Sequence, residues 1–129
     1  MIAKKFSTLV LTGALFFAWA CESAFAQEAF YKGKTIRIIV GFGAGGGFDA
    51  YARSLSRHMS KHIPGSPTLI VENMTGAGSL VAANYLYKVA RPDGLTIGTF
   101  HGSQVVAQLI GGQGIEFDVR KLEWIGTPG

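Results

Sequence analysis

Three short glycine-dense segments hold the residues best suited to chemistry in this 129-residue chain. The first runs from Gly43 to Asp49 and includes Gly45, Gly46, Gly47 and Phe48. The second is Gly76-Ala77-Gly78-Ser79, and the third is His101-Gly102-Ser103. Glycine lets backbone N–H groups approach a ligand with no Cβ in the way. Where such a segment opens a helix, the first turn adds unpaired N–H groups and the positive end of the helix dipole. An anion can be held there without lysine or arginine. Ser79 and Ser103 add hydroxyl donors. The chemistry expected is capture of a small anion, largely by main chain.

Other motifs compete less well. Gly41-Phe42-Gly43-Ala44-Gly45-Gly46 satisfies the dinucleotide pattern G-x-G-x-x-G, and Glu72 ends the next strand where an acid would take ribose hydroxyls. Asp49 opens the following helix, however, and its charge opposes a pyrophosphate unless the carboxylate is turned away. His58 and His62 have the spacing of a metal pair, but Met59 stands where a metalloprotease has its glutamate and no third ligand presents itself. Two histidines in a last helical turn also suit its negative end. Neither a Gly-x-Ser-x-Gly elbow nor a phosphate-loop lysine is present. Asp49, Glu72 and Asp93 have capping or turn roles and form no evident catalytic pair. No enzyme, metal or cofactor is expected.

The elements that must position these loops alternate. Thr35 to Val40 is a β-branched run that reads as a buried strand. Phe48, Ala52, Leu55 and Met59 then mark one face of a helix, and Arg53, Arg57 and Lys61 line another. Pro64-Gly65-Ser66-Pro67 ends it. Thr68 to Val71, running into Glu72-Asn73, is a second strand. A helix from about Ser79 to Ala90 follows, apolar around most of its circumference. Arg91-Pro92-Asp93-Gly94 is a turn. Leu95 to Phe100 is a third strand, Gln104 to Ile110 a short helix, and Leu122 to Ile125 the expected start of a fourth strand. Strand-helix alternation predicts an α/β domain: a parallel sheet with helices on both faces. All three strand-to-helix loops then lie at the carboxyl edge, where ligands of open α/β sheets bind.

The first residues are of another kind. Lys4 and Lys5, the apolar run Phe6 to Ala20, and Ala24-Phe25-Ala26 predict a secretory signal peptide over residues 1–26, cut before Gln27. The run is shorter than a membrane span. A lipidated Cys21 is the lesser alternative, since Trp19 makes a poor lipobox. Cleavage at Ala26 leaves no cysteine, so disulfide and thiol chemistry are not expected. Residues 27–129 carry 10 basic and 7 acidic side chains, net +3, without a Lys/Arg block that would grip nucleic acid. A periplasmic location and a monomer are expected.

The order TIRIIVGFGAGGGFD, VENMTGAGSLVAANYL and ARPDGLTIG resembles the Bug-type substrate-binding proteins of tripartite tricarboxylate transport systems, from about Tyr31 to the last residue. That resemblance implies a periplasmic binding protein with the type II two-lobed fold. It would capture a small carboxylate and pass it to a membrane permease. It also places Gly45, Gly46, Gly47 and Asp49 in the first ligand loop, Gly76, Ala77 and Gly78 in the second, and His101, Gly102 and Ser103 in the third. Phe48 stands where many relatives have threonine or serine, which tilts expectation towards a bulkier, less polar acid. Met74-Thr75 replaces a commoner basic-proline pair. Family members are about three times longer than residues 27–129, so the chain is expected to be part of the first lobe, with the second domain missing. A dinucleotide-binding exported oxidoreductase and a periplasmic sensory module are the alternatives.

Overall fold

The computed structural model describes residues 30–126. The signal segment, its cleavage point and Cys21 lie outside the described residues. Three strands form one parallel sheet: β1 (Thr35–Val40), β2 (Thr68–Asn73) and β3 (Thr96–Thr99). Their spatial order is β2-β1-β3, so β1 is central. Ile38 stands opposite Val71 on one side and Ile97 on the other. The helices are α1 (Gly47–Met59), α2 (Leu80–Lys88) and α3 (Ser103–Leu109).

Alternation along β1 divides its side chains between two faces. Ile38 and Val40 pack with Ala52 of α1, and Phe42, Phe48, Leu69 and Val71 extend that cluster. On the other face Arg37 meets Tyr85 of α2, and Gly98 of β3 lies directly under Leu86. A strand buried on both faces reads as a continuous apolar run, which is why Ile36, Ile38, Ile39 and Val40 are all at most 2% exposed. Helices thus cover both faces, as expected from the alternation of elements.

The helix ends depart from the sequence expectations by small amounts. After Met59 the chain continues through a 3-10 turn, Ser60–His62, before Pro64. Ser60 Oγ then donates to Pro67 O at 2.7 Å and closes the corner. The turn before β3 is fixed by Asp93, whose Oδ1 accepts from Leu95 N, and by Gly94 at φ 76°. The larger difference is at Leu122 to Ile125, which pairs with no strand among the described residues. A 3-10 turn at Val119–Lys121 redirects the chain, Trp124 Nε1 donates to Val119 O, and the indole packs on Phe100. The ring contacts of Trp124 hold this segment, and its apolar composition alone misread it as a strand.

Candidate functional site

The three glycine loops follow β1, β2 and β3 and meet at the carboxyl edge of the sheet. Their meeting is recorded in side-chain contacts. Ser79 Oγ accepts from His101 N at 2.9 Å, and Gln104 Nε2 donates to Gly78 O at 2.8 Å, joining the second and third loops. Asn73 Nδ2 donates to Phe42 O at 2.9 Å, tying the end of β2 to the first loop. The His101 ring meets the rings of both Phe42 and Phe48 edge-on at 6.4 Å, joining the first and third.

The first loop is held from beneath by Asp49. Its carboxylate is 3% exposed and accepts from Gly45 N at 2.8 Å, Arg53 Nε at 2.9 Å and Asn73 Nδ2 at 2.9 Å. Arg53 also donates to Asn73 Oδ1 at 3.1 Å, closing a ring of three side chains. The Arg53 guanidinium, the Gly45 amide and the Asn73 amide together hold the Asp49 carboxyl well below the usual carboxylate range. This resembles the acid of a capping box: three positions into the helix, it reaches back to the amide before the N-cap, Gly46. Asp49 is therefore turned away from the loop's outer surface, and its charge is spent on shaping the loop.

That leaves the outer surface to the backbone. Gly43 to Gly47 are exposed. The amides of Gly47 and Phe48, which open α1, meet no protein acceptor among the described residues. The glycines of this loop differ in kind. Gly45 sits at φ 82°, where a side chain is strained. Gly43 and Gly47, like Gly102 in the third loop, have ordinary backbone and nothing within 4 Å of where a Cβ would stand. The fold does not require glycine at these three places.

The second loop is tighter. Ala77, Gly78 and Ser79 all lie in the left-handed region, at φ 46°, 62° and 77°. Non-glycine residues there carry strain that the surroundings must hold in place. Ser79 is held by its bond from His101 and by Gly41, on which an added Cβ would stand 2.4 Å from Ser79 Cβ. Most amides of the third loop are used internally: Ser103 N donates to His101 Nδ1, Gln104 N to His101 O, and Val105 N to Gly102 O. The bond from Ser103 N makes Nδ1 an acceptor, so the neutral ring carries its proton on Nε2. Ser103 Oγ, 2.8 Å from that same Nδ1, donates its proton to the ring as well, so the third loop offers the His101 ring itself.

Sequence reasoning missed Asn73, Arg53 and Gln104 as organisers of this edge. Asn73 carried a signal, a polar side chain as the last residue of a strand, facing the loops. Arg53 was read as part of a solvated stripe. It is exposed, as Arg57 and Lys61 are, but it is also bonded into the Asp49 ring. Glu72, the acid of the dinucleotide pattern, points to the α2 face, where Arg37 donates to both its oxygens at 2.7 and 2.6 Å. His58 lies in α1 and His62 in the 3-10 turn after it, both exposed. Two cavities of about 360 and 470 Å³ open at the other end of the sheet, around Arg37 and Arg91 and around Met59 and Ile97. The glycine loops line neither.

Comparison with known proteins finds relatives of one name. Over 78 residues the chain is 40% identical to a UPF0065 protein of Cupriavidus necator, covering 60% of this chain and 23% of that one. A UPF0065 protein of Bordetella pertussis is 37% identical over 94 residues, 73% of this chain and 28% of its own. One from Agrobacterium vitis is 34% identical over 98 residues, 76% and 26%. The chain spans about a quarter of the length of the relatives it matches. No protein-family model and no solved structure matches it.

Proposed function

We propose that this chain is the front part of a periplasmic solute-binding protein that captures a small carboxylate for a tripartite tricarboxylate-type permease. UPF0065, the name its relatives bear, is the family of the Bug tripartite tricarboxylate receptors, and this supports the class. The observation that carries the ligand chemistry is the set of glycines at Gly43, Gly47 and Gly102. Neither backbone strain nor neighbouring atoms call for glycine there. Clearance for a ligand against the amides of Gly47 and Phe48 explains them. In a two-lobed protein of the type II class this edge is one wall of the cleft, and a second lobe supplies the other. The bidentate Arg37–Glu72 pair speaks against a dinucleotide, because Glu72 is committed to a face of the sheet and away from the loop edge.

Calorimetric titration of the full-length gene product against carboxylates and NAD tests this reading. A saturable heat with at least one carboxylate and none with NAD is expected. NAD binding with silence across the acids would replace the transport reading with a dinucleotide one.

A further inference from the structure

We infer that the free edge of β2 is a docking site for an extended segment of a partner protein in which acidic and apolar residues alternate. The site lies on the flank of the sheet and stands apart from the carboxylate reading.

β2 stands at the end of the sheet order, and its outer edge meets no strand among the described residues. Thr68 N donates to Lys34 O and Met74 N to Val40 O, so Thr68, Ile70 and Glu72 turn their backbone groups inward to β1. Leu69, Val71 and Asn73 therefore turn their N–H and C=O groups outward. Exposed strand edges are normally guarded by a lysine, a proline, a bulge or an inward-pointing charge. The run Thr68–Asn73 pairs with β1 without a bulge and contains no lysine or proline. Its one charge, Glu72, is bonded to Arg37. An added strand can bond to the three outward residues, with main chain giving affinity and alternate side chains giving selectivity.

The side chains beside this edge decide which strand fits. Two bonds show which flank of α1 faces β2. Arg53 Nη2 donates to Asn73 Oδ1 at one end of the strand, and Ser60 Oγ donates to Pro67 O at the other. Arg57 falls one turn after Arg53 on that flank, and Lys61 follows in the 3-10 turn. Both are exposed, and neither has an ion-pair partner among the described residues. No acid occurs between Asp49 and Glu72. The other face of β2 is apolar at Ile70, which is 39% exposed and stands opposite Arg37 in the register.

Successive side chains of an added strand alternate between these two faces. One set lies beside the flank of Arg57 and Lys61, the other beside Ile70. Acids in the first set and apolar residues in the second match both faces, as opposite-charge and apolar cross-strand pairs do. A second copy of this chain fits poorly. Pairing two β2 edges about a two-fold axis brings two cationic flanks together.

The test is fluorescence anisotropy of the full-length protein with labelled, end-capped peptides of about seven residues, long enough to span β2. One alternates glutamate with valine, and one alternates lysine with valine. A third has the composition of the first with its glutamates and valines in separate blocks. The glutamate–valine peptide should bind, less tightly at high salt, and the lysine–valine peptide should bind about ten-fold more weakly. The blocked peptide should also bind more weakly, because it cannot match both faces. The double substitution Arg57→Glu, Lys61→Glu changes two exposed side chains and should reverse the order of the two alternating peptides. In ¹⁵N spectra of the unaltered protein, the amides of Leu69, Val71 and Asn73 should move together as the glutamate–valine peptide is added. No binding of that peptide, equal binding of the lysine–valine or blocked peptide, or a preference that survives the double substitution would overturn the inference. A dimer in sedimentation whose Leu69 and Val71 amides are protected from exchange would assign the edge to a second copy and overturn it as well.

Discussion

Asp49 and Gly47 lie two residues apart and illustrate opposite uses of a side chain. Asp49 is buried to anchor the loop through three bonds. Its folded-state carboxyl is held below the usual range, so it adds stability that is complete above the unfolded value, about pH 3.9, and disappears as pH falls through the lower folded value. Asp49→Asn should therefore lower the urea midpoint at pH 7, and the gap from the unaltered protein should shrink as pH drops below about 4. A gap independent of pH would show that the charge of Asp49 does not hold the loop. Gly47 has no such duty. Gly47→Ala fills open space at the start of α1 and should leave stability unchanged or raise it, by up to about 1 kcal/mol. The same change should weaken carboxylate binding, because the new methyl group occupies the approach to the amides. A thermal melt and a titration on that one variant separate the two effects. If affinity is untouched, the glycine is not there for a ligand.

At the scale of elements, the critical contact lies where β1 hands over to its loop. Gly41 leaves room for Ser79, and an alanine there would push against Ser79 Cβ at 2.4 Å and Ser79 Cα at 3.2 Å. Gly41→Ala should cost about 1–3 kcal/mol by overpacking, and should also disturb the Ser79–His101 bond that joins two loops. Chemical denaturation measures the first and ligand titration the second. The strands and helices themselves were legible in the sequence, since β-branched runs and helical spacing reflect which sides are buried. So was the placing of the three loops, since parallel topology forces it. Three things were not. The Asp49–Arg53–Asn73 ring joins α1 to β2 across distant positions, and spacing within one element cannot reveal it. Glu72 alternates with Asn73, so only the pleat decides that Glu72 turns to α2 while Asn73 turns to the loop. Leu122 to Ile125 looked like a strand because apolar residues also serve segments that lean on aromatic rings.

At the scale of the whole molecule, the described residues have a small interior and much uncovered apolar surface. Eight hydrophobic residues are buried among those described, while Leu109, Ile110 and Ile125 are each about four-fifths exposed, at 78%, 78% and 80%. Small domains bury a lesser share of their surface and have correspondingly little stability to lose. Residues 27–129 produced alone should accordingly melt at low temperature with weak cooperativity, as followed by circular dichroism. A sharp, high transition would show that this part needs no further covering. The relatives are about four times longer than the matched stretch.

Backbone amide resonances report directly on which atoms meet the ligand. In a ¹⁵N-labelled full-length protein titrated with a carboxylate that gives a saturable heat, the resonances of Gly47, Phe48 and the Gly76–Ser79 loop should move first and furthest. Shifts gathered instead around Arg37 and Arg91 at the opposite end of the sheet, with the glycine loops still, would contradict the account.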